Sequence, residues 1–204
     1  RFTLGVGVGG REEDYTAIDS NWSDRRWAIL AKNVKTMKSV WSKDFHKEMG
    51  PNTYSKTGPQ ILAGAVGPKA MSMSAEFAEG LAGFSFNADL KEINDSFVRV
   101  KEAFIQKKIS PRLVTSFWFG LGESGREDIK THLTRYLGWM GDDFAKNLSE
   151  IAGFSGNQNE LYNFLDEIKG LGATDTLLVP TSKDISQLSM AEEVVSEFNQ
   201  KSSN

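Results

Sequence analysis

Two glycine-bearing segments have a composition suited to holding a ligand by its main chain. Gly5-Val6-Gly7-Val8-Gly9-Gly10 follows directly on the short apolar stretch Arg1-Phe2-Thr3-Leu4. Glycine has no Cβ, so its backbone can approach a flat ring or a phosphate closely. Ala63-Gly64-Ala65-Val66-Gly67-Pro68-Lys69 ends a second apolar stretch and turns into a helix opened by Pro68. The first N–H groups of a helix lack intrahelical acceptors and carry partial positive charge, which suits a phosphate. The candidate binding residues are therefore Gly7, Gly9, Gly10, Ala63, Gly64, Ala65, Val66 and Gly67. An ordinary strand-to-helix turn also explains the letters at 63–69, and relief of crowding explains an isolated glycine. Lys69 fits either an assisting cation or a solvated helix residue.

Other polar residues fall near strand ends. Arg11, Glu12 and Asp14 follow the glycine run and read either as a substrate or cofactor rim or as a solvated charged loop. Ser85, Asn87 and Thr181 close later strand-like stretches and are further rim candidates. Trp118 sits in Phe117-Trp118-Phe119, where alternation sends neighbours to opposite faces, so it reads as core or as a ring-stacking residue. His46 falls in a loop and His132 on a helix, neither at metal-ligand spacing with carboxylates. No metal site, no Ser-His-Asp arrangement and no catalytic residue is legible.

The elements that must position these residues alternate. Residues 1–6 read as a strand. Trp27, Leu30, Ala31, Val34, Met37 and Trp41 recur at helical spacing. Gly50-Pro51-Asn52 and Gly58-Pro59 mark a loop, and Gln60 to Gly64 a buried-type strand. A helix then carries Ala70, Met71, Ala75, Phe77 and Ala78 and stops at Gly80. Ala82 to Phe86 is a weak strand, followed by a helix using Ile93, Phe97, Val100 and Phe104. Arg112 to Phe119 is the strongest strand signal, rich in β-branched and aromatic residues. Ser124-Gly125-Arg126-Glu127 has the form of a capping box opening a helix through Leu133, Tyr136, Leu137 and Met140. Asn157-Gln158-Asn159-Glu160 opens another, ended by Gly170 and Gly172. Thr176 to Pro180 is a last buried strand, and Asp184 caps a closing helix through Phe198. About five β-α repeats with continuously apolar strands imply an α/β fold with a parallel sheet. One domain over residues 1–198 and a polar tail over 199–204 are expected.

Bulk composition narrows the function classes. The chain has 204 residues, 39% hydrophobic and 25% charged, with a net charge of -3. That is the composition of a soluble globular domain. The missing basic surplus argues against nucleic acid as a partner. With no cysteine, disulfides, thiolate metal sites and Cys nucleophiles are excluded. No apolar run approaches the roughly 20 residues of a bilayer span. No signal peptide is visible, so a cytoplasmic location is expected. The chain opens at Arg1 and not at Met, so a preceding segment is also expected.

Gly5-Val6-Gly7-Val8-Gly9-Gly10 is formally a G-x-G-x-x-G after a strand, the signature of a dinucleotide-binding Rossmann loop. That loop needs a helix at its third glycine and a second strand ending in an acid about 20 residues on. Here a polar stretch follows instead. A (β/α)8 barrel, whose chemistry sits on the loops after its strands, accommodates the same letters.

Arg1 to Tyr15, RFTLGVGVGGREEDY, closely resembles the fourth strand and following loop of the luciferase-like monooxygenase family. Arg25-Arg26-Trp27, Gln60 to Ala65, Gly67-Pro68-Lys69-Ala70, Glu79 to Phe84 and Leu177-Leu178-Val179-Pro180 extend the resemblance over nearly the whole chain. It implies a partial (β/α)8 TIM-type barrel carrying about strands four to eight, with the first three strands not in this sequence. It further implies a flavin- or F420-dependent oxidoreductase acting on a small organic substrate, with coenzyme F420 or FMN as cofactor. A non-catalytic or degenerate flavin-binding relative is the alternative, and a Rossmann protein a weaker one. Members are often dimers, so a homodimer is an expected assembly. In the family, the loop corresponding to 63–69 contacts the cofactor phosphate by backbone. Some flavin-dependent members carry an arginine near the end of the fourth strand. Val8 occupies that place here, a departure that favours F420 or a phosphate held elsewhere.

Overall fold

The structure, a computed structural model, describes residues 2–23, 25–42 and 57–202. His46 and the Gly50-Pro51-Asn52 turn lie outside the described residues. The chain forms two compact units, residues 1–83 with 98–112, and residues 84–97 with 113–204.

The first unit is built on three parallel strands, β1 (Thr3–Val6), β2 (Gln60–Ala63) and β3 (Gly80–Ala82). β1 pairs with β2 from Thr3↔Gln60 to Val6↔Ala63, and β2 pairs with β3 at Leu62↔Gly80 and Ala63↔Leu81. The helices are α1 (Glu12–Thr16), α2 (Arg26–Ser42) and α3 (Pro68–Ser74). Alternation gives the strands two faces. Leu4, Val6, Ile61 and Ala63 form a core with Val34, Phe77 and Ala78, against which the α2 residues Trp27, Leu30, Ala31 and Trp41 pack. The helical spacing of those tryptophans and leucines is thus explained by one buried stripe. Thr3, Gly5, Gln60 and Leu62 occupy the opposite face.

That opposite face is closed at the N-terminal ends of its strands. One Arg112 Nη1 donates to Thr3 Oγ1 at 2.9 Å and to Gln60 Oε1 at 3.0 Å. Glu79 ties the outer rim: its carboxylate accepts from Ile61 N at 2.7 Å and pairs with Lys38, whose ammonium also donates to the Phe77 carbonyl at 2.8 Å.

Two boundaries differ from the sequence reading. α3 ends at Ser74, whose hydroxyl donates back to the Met71 carbonyl at 2.6 Å. Gly80 does not stop this helix but begins β3. A Cβ at Gly80 would lie 2.0 Å from the Arg112 carbonyl oxygen, so a close backbone approach accounts for this glycine. The strand expected at 82–86 accordingly lies earlier, at Gly80–Ala82.

α4 (Leu90–Ile105) buries Ile93, Phe97, Val100 and Phe104, the four residues its periodicity marks. The second unit is organised around β4 (Arg112–Leu121), from Leu113 onward. β4 pairs in parallel with β5 (Phe154–Gly156) through Phe119–Leu121 and with β6 (Asp175–Pro180) through Val114–Phe119. Its helices are α5 (Gly125–Tyr136), α6 (Asp142–Ile151), α7 (Gln158–Gly170) and α8 (Ile185–Ser202), with a 3-10 turn at Gly138–Met140. Trp118 on one face of β4 packs with Ile129 and Leu133 of α5 and Ala145 of α6. Phe117 on the other face meets Phe164 of α7 edge-on at 5.2 Å.

Both ends of β4 are held by side chains that imitate a neighbouring strand. Thr174 Oγ1 accepts from Leu113 N and donates to Leu113 O, at 3.1 and 2.9 Å. The buried Gln187 accepts from Leu121 N at 2.7 Å and donates to Leu121 O at 2.9 Å.

The helix expected through Met140 ends at Tyr136, and α6 and β5 are additions to the five expected repeats. Ser124 does not form a capping box. Its φ of -83° and ψ of -11° are helical, whereas a capping side chain needs an extended residue; its hydroxyl bonds Asp128 Oδ2 instead. The box at Asn157 is complete: Glu160 N donates to Asn157 Oδ1 at 3.0 Å and Asn157 N to Glu160 Oε2 at 2.7 Å. Asn157→Ala is expected to lower stability by about 1 kcal/mol, measured by urea denaturation. Asp184 Oδ1 accepts from Ser186 N at 2.9 Å at the start of α8, and this bond holds the carboxyl below its usual pKa. α8 continues to Ser202, so residues 199–202 of the expected tail are helical.

Candidate functional site

The two glycine segments lie side by side in the first unit. Because β1 and β2 are parallel and in register at Val6↔Ala63, both chains leave the pair at the same end. Gly64 N donates to Val6 O at 2.7 Å, extending the ladder one residue into the loops. A Cβ on Gly7 would sit 3.6 Å from Gly64 O, and one on Gly64 would sit 3.5 Å from Val6 O. Gly7, Gly9, Gly10, Gly64 and Val66 are exposed, Gly67 is half-buried, and Ala63 and Ala65 are buried.

These loops are rich in free donors. Among the described residues, no group accepts from the N–H of Gly7, Gly9, Gly10, Val66 or Gly67. Gly67 is the N-cap of α3, extended at φ -90° and ψ 157°, with Pro68 in the first turn and no side-chain cap. Crowding from within the protein does not explain the composition. A Cβ at Gly5, Gly10 or Gly67 would meet nothing within 4 Å. Within these two loops, Gly9 is the glycine whose backbone selects it, with φ +66°. The result is an exposed, donor-rich surface with few side chains on it, open to an anionic group.

The glycine run opens onto α1, five residues long, and the next strand among the described residues is β2, at Gln60. A Rossmann loop would need a longer helix at its third glycine and a second strand close behind. Arg11 is the N-cap residue of α1, and its guanidinium lies 3.9 Å from Asp14, both partly exposed. Glu12 and Asp14 are exposed on the first turn of α1. Lys69 is exposed.

In the second unit, Ser85 is 2% exposed and its polar atoms are engaged: the hydroxyl donates to Glu92 Oε2 at 2.7 Å and accepts from Asp89 N at 3.1 Å. Thr181 is 8% exposed and donates to Phe119 O at 2.8 Å. Both hydroxyls are taken up by bonds within the fold. Asn87 is exposed. Trp118 lies in an aromatic cluster, 4.5 Å from Phe84, 5.7 Å from Phe86 and 6.5 Å from Tyr136 between ring centroids. His132 stacks on Tyr136, and burial, then Arg135, holds its pKa below the ordinary value. No group of His, Asp and Glu among the described residues could hold a metal ion. No described helix is long and apolar enough to cross a membrane.

Sequence reasoning did not single out Tyr15 or Arg112. Tyr15 donates to Val8 O at 2.6 Å, at the centre of the glycine run. Its signal was an aromatic residue within an otherwise polar stretch. Arg112 carried none, because its partners Thr3 and Gln60 are far away in sequence.

Solved structures share this architecture. An F420-dependent secondary alcohol dehydrogenase, solved with an F420-acetone adduct, aligns with a TM-score of 0.71 at 13% identity, covering 94% of this chain and 68% of that one. A monooxygenase from Streptomyces bottropensis aligns at 0.64 and 16% identity, over 99% and 69%. EDTA monooxygenase from Chelativorans sp. BNC1 aligns at 0.64 and 11% identity, over 95% and 64%. At these identities the likeness establishes the fold, an α/β partial barrel of the (β/α)8 type with parallel strands. No curated protein sequence matches the chain. The sequence profile described as luciferase-like monooxygenase matches residues 1–191, and the chain belongs to that family.

Proposed function

We propose that the protein serves a flavin- or F420-dependent oxidoreductase reaction on a small organic substrate, with the cofactor phosphate held by the Gly7–Gly10 and Ala63–Gly67 loops. One observation carries the reading: two glycine-bearing loops with unengaged amides emerge side by side from paired parallel strands. Solved relatives of this fold include an F420-dependent dehydrogenase and monooxygenases, which supports this cofactor class. Val8 in place of an arginine favours F420, or a phosphate held elsewhere than by that arginine.

Once bound, the cofactor ring supplies the redox chemistry. The chain's own part is to bind and orient. The N–H groups of Gly7, Gly9, Gly10, Val66 and Gly67 would donate to phosphate oxygens, as donors at strand and helix termini do. Arg11 and Glu12, beside the loop, would contribute to the rim. Arg112, bridging Thr3 and Gln60, closes the opposite end of the strand face.

Titration of the protein with F420 and separately with FMN, followed by fluorescence, tests the reading. Saturable binding of at least one is expected, with F420 the tighter. No saturable change with either overturns it. Binding without turnover of any small alcohol, aldehyde or aromatic substrate would favour the non-catalytic relative.

A further inference from the structure

α1 buries none of its residues, so the core does not explain why it lies where it does. What ties it down is Tyr15. The Tyr15 ring meets Trp22 edge-on at 5.1 Å, and the Arg26 guanidinium lies 3.5 Å over the Trp22 ring. Arg26 is itself fixed by Nη1 donating to the Ser23 carbonyl at 3.0 Å. At the near end of this stack, the Tyr15 hydroxyl donates to the Val8 carbonyl at 2.6 Å.

A trans peptide is planar, with its C=O and the following N–H pointing in opposite directions. Holding the Val8 carbonyl toward Tyr15 therefore turns the Gly9 N–H away from α1. The Tyr15 ring lies 3.9 Å from where a Gly9 Cβ would stand, so the ring sits directly beside this peptide. The left-handed φ of Gly9, +66°, places the next peptide from this fixed start.

We propose that Tyr15 is a positioning residue for the anionic part of the cofactor: the Arg26-Trp22-Tyr15 stack fixes the Val8–Gly9 peptide so that the Gly9 amide is presented to a phosphate. The inference rests on the reading of the glycine loops as a phosphate cradle. It adds a side chain that touches no ligand and acts through one peptide group.

Tyr15→Phe removes only the hydroxyl. Its affinity for the phosphorylated cofactor, F420 or FMN, is expected to fall about tenfold, the loss of one well-directed bond to a charged group. Affinity for the corresponding ring without its phosphate, such as riboflavin in place of FMN, is expected to stay at the wild-type value. A general loosening of the loop would weaken both ligands together, and that result overturns the inference. Equal affinity of wild type and variant for the phosphorylated cofactor overturns it as well, while leaving the cradle reading intact. If the wild type binds neither phosphorylated cofactor, the cradle reading itself fails and the inference with it. A circular-dichroism melt of the variant accompanies the titration. Should Tyr15→Phe fail to fold, Tyr15→Trp, which keeps a large ring and lacks the hydroxyl, is put through the same ligand pair with the same outcomes.

Discussion

Trp118→Ala is expected to destabilise the protein by about 3–5 kcal/mol, the cost of truncating a large aromatic in a packed core. The side chain is 6% exposed and is surrounded by Phe84, Phe86, Ile129, Leu133, Ala145 and Ala152. Its ring makes edge contacts with both phenylalanines. Those neighbours come from a loop, from α5 and from α6 with its C-cap residue Ala152, so they cannot close the space by moving one element. Native domains have only about 5–15 kcal/mol in all. The variant's urea midpoint should fall accordingly, and a change under about 1 kcal/mol would show that the ring is not a core residue.

Gly64→Val is expected to do the reverse, sparing the fold and removing ligand affinity. In this structure a Cβ at position 64 makes only an ordinary 3.5 Å contact with the Val6 carbonyl. Gly64 has no positive φ, and valine suits the end of a strand. The branched side chain would, however, stand beside the exposed amides of the two loops. Affinity for F420 or FMN should drop about a hundredfold, or ~2.7 kcal/mol, with stability changed by less than about 1 kcal/mol. Fluorescence titration and a urea melt on the same sample measure both. Unchanged affinity would remove this surface as the phosphate site.

The long elements were legible because their physics is local. β4 announces itself through the β-branched pair Val114-Thr115 and the aromatic run Phe117-Trp118-Phe119, and α2 and α4 through apolar stripes that one buried face explains. What escaped depended on distant partners. Ala75, Phe77 and Ala78 continue the helical spacing of α3, although the helix ends at Ser74. All three are buried, and Phe77 and Ala78 are so because β1, β2 and α2 supply a core beside them. Gly80 resembles a helix stop, and only the approach of Arg112 explains it. Ser124 and Glu127 have the spacing of a capping box, but the start of α5 is fixed by Gly120 and Gly125, whose backbones come too close for either to carry a Cβ. β5 is three residues with a serine and a glycine, too short to display an alternation.

The candidate site divides in the same way. The two glycine loops stand out because clustered glycines leave the main chain bare of side chains, and parallel pairing brings them together. Ser85 and Thr181 were chosen by position at strand ends. The structure shows their hydroxyls occupied by Glu92, Asp89 and Phe119, partners no sequence spacing indicated. Tyr15 could be assigned a partner only once α1 was folded back on the glycine run.

The two side-chain clasps on β4 bear on how this strand ages in solution. A strand usually trades its amide protons with solvent from its ends inward, because the terminal bonds fray first. Here Thr174 grips Leu113, Gln187 grips Leu121, and helices lie over both faces between them. Opening of the surrounding unit as a whole is the expected route by which water reaches these amides, and hydrogen exchange of the β4 amides measures it. The ends of β4 therefore keep their protons as long as its middle does, and the lifetime of that set is a direct clock for the cooperative opening of the unit.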